Sequence, residues 1–269
     1  MNHNLKDEIV RWYLDIKMNL RYIFNRKKHG NDLKIPFHYI CVFHDDFTDG
    51  YSDNWDNGAQ WDLPPYHPGS PTQWYDPDQI IKNQDGIAMH SVVKPKYFPE
   101  IDTTIPNAMG ILRTKESWKY GIFRFKAKLP SGKWLWPALW LSGRYSWPPE
   151  IDVLEAFSDD TYDYSKGKIL TSNVHYGRNG DHIQFGCYKH RLPNKVTEEF
   201  IDYDLWWEKD FIKIYYNGYL VSYVTDKKIL NDMFEAQRII IGNGIDTPFN
   251  QNNLTPIIVQ SVTVYQKPI

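Results

Sequence analysis

The sequence lacks the features that mark several large classes of protein. Its 269 residues include only two cysteines, Cys41 and Cys187, and no Cys/His spacing of the zinc type, so neither a disulfide scaffold nor a structural zinc site is indicated. No run approaches the roughly 18 apolar residues of a membrane-spanning helix. The 31 Lys and Arg balance 33 Asp and Glu, and no long basic block follows the first 30 residues, which argues against nucleic acid as a partner.

Aromatic residues, in contrast, are abundant. The chain contains 11 Trp, 19 Tyr and 13 Phe, together 16% of its residues. A large core accounts for more than half of them. Exposed indole rings also form flat platforms, on which the apolar faces of sugar rings stack.

Residues 1–34 differ from the rest of the chain. Apolar residues recur there at spacings of three and four, which predicts an amphipathic helix over about residues 4–26, followed by a polar linker. Residues 1–30 carry seven basic and three acidic side chains, and charges interrupt every turn, so the segment does not have the continuous apolar stretch of a secretory signal. Three roles remain open: packing on the flank of the domain, contact with a membrane surface, or contact with a partner.

Residues 35–269 are predicted to form one all-β domain. Short alternating or apolar runs are divided there by Gly, Pro, Asn and Asp, which is typical of strands, and few helical patterns lie between them. The pair Asn217-Gly218 predicts a two-residue type I′ hairpin turn, because both residues accept a positive φ. So many short strands favour a sandwich of two sheets.

Three carboxylates lie close together in an otherwise apolar run, Glu150-Ile-Asp152-Val-Leu-Glu155. The apolar neighbours demand burial on the opposite face, so the acids are expected to share one wall of a cleft. Like charges at such spacing raise each other's pKa, so that one carboxyl stays protonated while another is ionised. Cleavage of a glycosidic bond needs that division of labour.

Strand parity adds a structural condition. In a regular strand Glu150 and Asp152 point to one face and Glu155 to the other, which would send an ionised Glu155 into the core. One extra residue at Val153-Leu154, a β-bulge, returns Glu155 to the face of the other two acids. The sequence therefore predicts a bulge at this point.

At these residues the sequence resembles glycoside hydrolase family 16, in the subgroup whose acidic motif carries the extra residue. The resemblance covers most of residues 41–266, and further motifs occur in the family's order: the opening strand at 42–47, residues 120–130, the run Trp-Pro-Ala-Leu-Trp-Leu at 136–141, and Val-His-Tyr-Gly at 174–177. It implies a jelly-roll β-sandwich of two curved antiparallel sheets with a concave substrate cleft. It also implies an endo-acting hydrolase of β-linked polysaccharides that retains the anomeric configuration.

The resemblance implies roles for individual residues. Glu150 would be the nucleophile, Glu155 the general acid/base, and Asp152 the group that holds and tunes the nucleophile. Substrate contacts are expected from seven further residues: Trp136 and Trp147 as stacking platforms, His175 and Asn173 on one strand face, Trp207 and Asn243 at cleft positions, and Arg124 as an available cation.

No cofactor and no catalytic metal ligands are expected. A structural calcium ion near the opening strand is possible in this family, with Asp45 or Asp46 as ligands, although carboxylates in turns usually cap the backbone. The polymer favoured as substrate is β-1,3- or mixed-linkage glucan. Alternatives are algal galactans (agar, porphyran or carrageenan), bacterial exopolysaccharide, and, in another class, a non-catalytic sugar-binding or adhesin jelly-roll.

A polymeric substrate implies action outside the cell, although no signal peptide is seen in the sequence. Release by lysis, a virus or phage origin, a non-standard export route or a shortened chain would each account for this, and the sequence does not choose among them.

Overall fold

The structure is a computed structural model that describes residues 33–61, 64–67, 71–157, 170–190, 192, 194–251 and 254–268. Six residues of the predicted amino-terminal helix are also described and have helical backbone: Tyr13, Ile16, Lys17, Leu20, Ile23 and Phe24. The five apolar members of this set are 38–63% exposed, so these side chains are not buried against the domain. The rest of that predicted helix lies outside the described residues. No helix among the described residues is long and apolar enough to cross a bilayer.

Two large sheets dominate the described chain. The eight-stranded sheet contains β1 (Ile40–Asp45), β4 (Ile80–Asn83), β5 (Gly86–Met89), β9 (Gly121–Lys128), β14 (Ile201–Glu208), β15 (Phe211–Tyr216), β16 (Tyr219–Val224) and β18 (Ile257–Gln266). The seven-stranded sheet contains β2 (Trp55–Asn57), β8 (Ile111–Thr114), β10 (Leu135–Gly143), β11 (Glu150–Glu155), β12 (Leu170–Tyr176), β13 (Ile183–His190) and β17 (Gln237–Ile245). All strand pairs described in these two sheets are antiparallel, as predicted.

A smaller sheet and a few short helices complete the described fold. The three-stranded sheet contains β3 (Gln73–Tyr75), β6 (Ser91–Phe98) and β7 (Thr103–Met109), with β3 parallel to β7. Helix α1 spans Lys227–Asp232, and 3₁₀ turns occupy Gly58–Gln60, Pro77–Gln79 and Pro99–Ile101. This third sheet differs from the prediction of two sheets.

The core lies between the two large sheets because their strands alternate. On β9, Phe123, Phe125 and Ala127 are fully buried in the main core, whereas the residues between them are partly exposed on the outer face. On β10, Leu139 and Leu141 enter the same core from the opposite sheet. The outer face of the seven-stranded sheet is thereby left free to carry polar side chains.

The hairpin between β15 and β16 has the predicted turn. Asn217 has φ 49° and Gly218 has φ 80°, so both central residues lie in the left-handed region that a type I′ turn requires. The turn fixes the register in which Tyr216 pairs with Tyr219.

Candidate active site

The middle of β11 contains the predicted bulge. Leu154 pairs with Leu139 and Asp152 pairs with Trp140, so Val153 has no partner of its own on β10. On the other side of the strand the register with β12 shifts over the same residues, between Asp152 and Glu155. One extra residue is therefore inserted in β11, at the place that parity demanded.

The bulge sorts the side chains of β11 onto two faces. Val153 and Leu154 are consecutive residues, yet both are fully buried in the main core together with Ile151. Asp152 and Glu155, which are three residues apart, both reach the polar groups of the opposite face. An unbulged strand could not achieve this with the same sequence.

Tyr216 supports the bulge from the eight-stranded sheet. Its side chain is fully buried, and its hydroxyl lies 2.8 Å from the carbonyl oxygen of Val153 and 2.9 Å from that of Thr171. The single hydroxyl proton is thus shared between the backbone of the bulged residue and that of the facing strand β12. The Tyr216 side chain crosses the core and thereby links the eight-stranded sheet to the strand that carries Glu150, Asp152 and Glu155, whose shared face we call the catalytic wall.

Glu155 is held by two polar neighbours. The indole Nε1 of Trp136 donates to Glu155 Oε1 at 3.0 Å, and the Asn173 side chain also hydrogen-bonds this carboxylate. The Trp136 ring is itself fixed by stacking on Phe157, with ring centroids 5.0 Å apart and planes at 26°. Trp136 therefore both orients an acid and presents an aromatic surface beside it.

His175 lies between the other two acids. Its Nε2 is 3.2 Å from Asp152 Oδ2 and 3.7 Å from Glu150 Oε1. Asn173 Oδ1 accepts the backbone N–H of Val174, so its Nδ2 faces His175 Nε2, 3.0 Å away, as a donor. Asp152 and Asn173 are paired across β11 and β12, which explains why these side chains meet.

Trp147 and His182 complete the exposed side of the site. Trp147 is 55% exposed, and its ring centroid is 4.5 Å from that of His182 and 5.8 Å from that of His175. The two imidazoles stack at 22°, and His175 Nδ1 is 2.7 Å from His182 Nε2. A half-exposed indole face thus stands next to the buried acids.

Burial changes the acidity of all three carboxyls. It raises the pKa of Glu150 to about 8, with the Asp152 carboxylate adding to the effect and with His175 and the Trp147 indole opposing it. Burial and the charge of Glu155 raise the pKa of Asp152 well above its ordinary value, and burial also raises the pKa of Glu155. Because each negative charge disfavours the next, the three groups do not all ionise together near neutral pH.

Comparison with known proteins identifies the family. A model described as Glycosyl hydrolases family 16 matches residues 74–243, more than half of the chain. The chain belongs to glycosyl hydrolase family 16. The catalytic domain of an endo-1,3-beta-glucanase (laminarinase) from Thermotoga petrophila has the same fold, with a TM-score of 0.70 at 19% identity over 86% of this chain and 99% of that one. The two large sheets accordingly form the family's jelly-roll β-sandwich.

Curated relatives share shorter segments. Glucan endo-1,3-beta-glucosidase A1 from Niallia circulans is 29% identical over 165 residues, which cover 56% of this chain and 23% of that protein. Beta-1,3-glucan-binding protein from Penaeus monodon is 30% identical over 121 residues, covering 40% of this chain and 33% of that protein. The matched part of this family 16 chain thus corresponds to a third or less of the length of these two relatives.

The structure brings together seven of the ten residues predicted for the family 16 site. Two of the other three are buried elsewhere, which corrects those predictions. Trp207 is 1% exposed and packs in the core on β14, against Tyr120, because it shares parity with the inward-facing residues of that strand. Asn243 is fully buried on β17, and its Nδ2 donates to the carbonyl oxygen of Met89 at 3.3 Å. Neither side chain reaches the acids.

The structure also contradicts the predicted role of Arg124 as a cation that contacts the substrate. It lies on β9 of the eight-stranded sheet, between the inward-facing Phe123 and Phe125, so it points to the outer face of the other sheet. Its guanidinium binds both carboxylate oxygens of Asp204, at 2.6 and 3.2 Å. It is a structural ion pair, remote from the acids of β11.

Sequence reasoning missed Phe157, His182 and Tyr216 as parts of the site. Phe157 follows the acidic run directly, so its proximity was the one usable signal. His182 lies in the connection after β12, and Tyr216 comes from the opposite sheet, so their contacts depend on the packing of distant segments. No local pattern encodes either of them.

Proposed function

We propose that this chain is an endo-acting, retaining glycoside hydrolase that cuts internal β-linkages of a polysaccharide. The observation that carries the proposal is the bulge, which places Glu155 on the same face as Glu150 and Asp152. Two carboxyls with separate roles are the minimum for retaining hydrolysis, and here both lie, partly buried, beside aromatic surfaces. Residues 136–182 supply every group that takes part in the two chemical steps and in the proposed sugar contacts.

The chemistry has two steps. Ionised Glu150 attacks the anomeric carbon while the glycosidic oxygen leaves with the proton of Glu155. Glu155, now a carboxylate, then takes a proton from water, the water oxygen attacks the anomeric carbon, and Glu150 is released. The reactive protonation form is the one in which Glu155 holds the shared proton and Glu150 is ionised.

The neighbours of the acids lower the pKa of both catalytic carboxyls against the effect of burial. His175 and the Trp147 indole N–H act on Glu150, whereas Trp136, His175 and Asn173 act on Glu155. Asp152 is 3% exposed, and its Oδ2 lies 3.2 Å from His175 Nε2, so its charge acts on Glu150 with little screening by water. Esterification of Glu150 removes one negative charge, so the pKa of Glu155 falls at the moment when it must act as a base.

Two indole surfaces are proposed to bind sugar rings. Trp136 is fixed beside Glu155 by Phe157, and Trp147 stands beside His175 with half of its surface exposed. A pyranose ring that stacks on an indole keeps its hydroxyls free for the polar groups at the ring edge. Trp136 lies next to Glu155 and Trp147 next to Glu150. Sugar-binding surfaces beside both acids suit a polymer that extends through the site in both directions.

We propose β-1,3- or mixed-linkage glucan as the polymer. The Niallia relative is named for activity on 1,3-β-glucan, and the Penaeus relative for binding it. A sulfated galactan would need free cations near the acids. Four arginines with described side-chain contacts each have a partner in the chain: Arg113 with Asp56, Arg124 with Asp204, Arg144 with the carbonyl oxygen of Lys115, and Arg178 with Asp232.

The test is hydrolysis of a polysaccharide panel with analysis of the fresh product. Laminarin and barley glucan are expected to release reducing ends, and proton NMR of the first product is expected to show the β anomer. The Glu150→Gln variant is the control, because it should lose turnover and keep glucan binding. An initial α anomer would contradict Glu150 as nucleophile, and cleavage of agar, porphyran or carrageenan without action on glucans would contradict the substrate.

A second candidate is a non-catalytic glucan-binding jelly-roll. The name of the Penaeus relative favours it, since the matched segment overlaps this chain by 121 residues. The retention of Glu150, Asp152 and Glu155 in one wall favours the enzyme. Tight binding without cleavage of any polymer in the panel would establish the second candidate.

The proposed reaction needs no cofactor, because two carboxyls and water supply every proton and bond. Activity should therefore survive dialysis against a chelator. A structural calcium ion near Asp45 or Asp46 remains an alternative for stability. The oxygens of Asp45 already accept hydrogen bonds from Phe47 N, Ser52 Oγ and Trp55 Nε1, and Asp46 caps Thr48, which favours the capping role.

The amino-terminal segment is proposed to act outside the catalytic unit. Its described apolar side chains are exposed and its sequence is rich in basic residues, which favours contact with a membrane surface or a partner over packing on the domain. Binding of residues 1–34 to vesicles of anionic lipid, compared with neutral vesicles, tests the first of these roles.

A further inference from the structure

Three donor atoms of different residues converge in the catalytic wall. Glu150 Oε1, Asp152 Oδ2 and His175 Nε2 all lie within 4.8 Å of one another. His175 Nε2 is 3.2 Å from the Asp152 oxygen and 3.7 Å from the Glu150 oxygen. Ligands of tetrahedral zinc, with bonds of about 2.0–2.2 Å, are separated by roughly 3.3–3.6 Å. The two distances from His175 Nε2 are therefore close to those in a zinc ligand set, and the two carboxylate oxygens lie within 4.8 Å of each other.

Asp152 Oδ2 has no hydrogen-bond partner among the described residues. The side chain of Asp152 is only 5% exposed, and this oxygen points toward His175 Nε2. A buried carboxylate oxygen without a donor is costly, since buried polar groups are nearly always bonded. A cation bound at this position would supply the missing interaction.

His175 is in the tautomer that binds metal ions. Its Nδ1 lies 2.7 Å from His182 Nε2, and Asn173 Nδ2 faces its Nε2 as a donor, so the proton belongs on Nδ1 and the lone pair on Nε2. A metal-binding histidine usually donates its other ring N–H to a second residue, which fixes the ring and increases its basicity. His182 fills that position here.

The site is also reachable from solvent. The side chains of Glu150 and His175 are 16% and 15% exposed, so an ion can enter beside them. One imidazole and two carboxylates are donors that suit zinc, whereas calcium and magnesium prefer larger sets of oxygen ligands.

We propose that Glu150, Asp152 and His175 bind a zinc ion that inhibits the enzyme. The ion would bind the Glu150 oxygen that attacks the sugar. It would also block the face from which the anomeric carbon must approach that oxygen. The inhibition rests on the proposed hydrolase function, while the binding site does not. Zinc is thus a competitor of the substrate and has no part in the reaction.

The experiment measures binding and activity separately on the full chain. Zinc chloride is titrated by calorimetry, cobalt(II) absorption between about 500 and 650 nm reports a tetrahedral site, and laminarin hydrolysis is followed at the same zinc concentrations. We expect one zinc ion bound at this site, inhibition at concentrations that match the dissociation constant, and full recovery with a chelator. His175→Gln should weaken zinc binding at least about tenfold, and His182→Gln should weaken it less.

The matched control is His44→Gln. His44 is an exposed histidine on β1 of the other sheet, bonded to Thr263 Oγ1, so its loss should leave the titration unchanged. Zinc binding that persists unchanged in His175→Gln, or that is lost in His44→Gln, overturns the site. Zinc bound at His175 without any loss of hydrolysis overturns the inhibition. If no polymer is hydrolysed even without zinc, the proposed function fails, and the calorimetry still decides the site.

Discussion

Replacing Tyr216 with Phe removes a single hydroxyl from beneath the bulge and leaves the shape of the core unchanged. That hydroxyl lies 2.8 Å from the Val153 carbonyl oxygen and 2.9 Å from the Thr171 carbonyl oxygen. A typical internal hydrogen bond contributes about 0.5–1.5 kcal/mol, and a buried acceptor left without a donor costs about 1–3 kcal/mol. Since the side chain is fully buried and no water replaces the hydroxyl easily, we expect the variant to lose about 1–3 kcal/mol of unfolding free energy.

The same substitution should also lower activity, because the bulge fixes the direction of Glu155. A misplacement of about 1 Å at a catalytic group can cost on the order of 100-fold in rate. Urea unfolding followed by tryptophan fluorescence gives the stability, and laminarin hydrolysis well below the unfolding range gives kcat. The loss is expected in kcat more than in KM, since the tryptophan platforms are not touched by Tyr216.

Tyr203→Phe is the matched control. Tyr203 is a fully buried neighbour, with ring centroids 5.2 Å apart, and its hydroxyl has no hydrogen-bond partner among the described residues. Removal of an unpaired buried hydroxyl should leave stability unchanged within about 0.5 kcal/mol or raise it. Equal stability and equal kcat in the two variants would refute the role given to the Tyr216 hydroxyl.

Three further predictions concern the acids and the amino-terminal segment. Burial raises the pKa of Glu150 from 4.5 to about 8, so the unfolding free energy of the wild type should fall as pH rises through this interval. Glu150→Gln should therefore be more stable than the wild type at pH 7, by up to about 3 kcal/mol, and equally stable near pH 4. Urea unfolding at both pH values measures this difference. Glu155→Ala should lose activity on laminarin but regain turnover with azide on substrates with good leaving groups, and a variant that azide does not rescue would argue against Glu155 as the acid/base. A chain that starts at Lys34 should keep its glucanase activity, because all groups described in the site lie between 136 and 216; lost turnover with an unchanged circular dichroism spectrum would show that the segment contributes to catalysis.

The sequence predicted the local features that hydrophobic pattern controls. The two-sheet sandwich was predicted from the many short strand-like runs, and the hairpin at Asn217 from its Asn-Gly pair. The bulge next to Val153 was predicted because burial on one face fixes parity within a strand. Parity does not reveal which sheet a strand joins or which of its faces is the inner one. Trp207 and Arg124 were misassigned for that reason, although each lies in a correctly predicted strand.

The third sheet escaped prediction because proline interrupts its strands. Pro95 lies within β6 at a register shift between Val93 and Lys96, and Pro106 lies within β7. A proline in an apolar run normally argues against a strand, since it cannot donate to the ladder, but a bulge or a sheet edge accommodates it. The contacts of His182 could not be predicted either, because they join a loop to Trp147 from another part of the chain.

The bulge on β11 determines how the strand tolerates insertion or deletion of a residue during evolution, as distinct from substitution. A strand can exchange one side chain for another without effect on its neighbours, but a gain or loss of one residue swaps the faces of everything beyond it. In β11 the inserted or deleted residue can be Val153, which has no partner on β10. The change then affects only Leu154 and Glu155, which lie between Val153 and the end of the strand. Deletion of one residue there would restore strict alternation and still leave Glu155 on the wall, at the cost of one core side chain. The three acids can thus stay on one face whether the motif from the first to the last glutamate spans five or six residues. What must change with the length of the motif is the packing of the core on the opposite face.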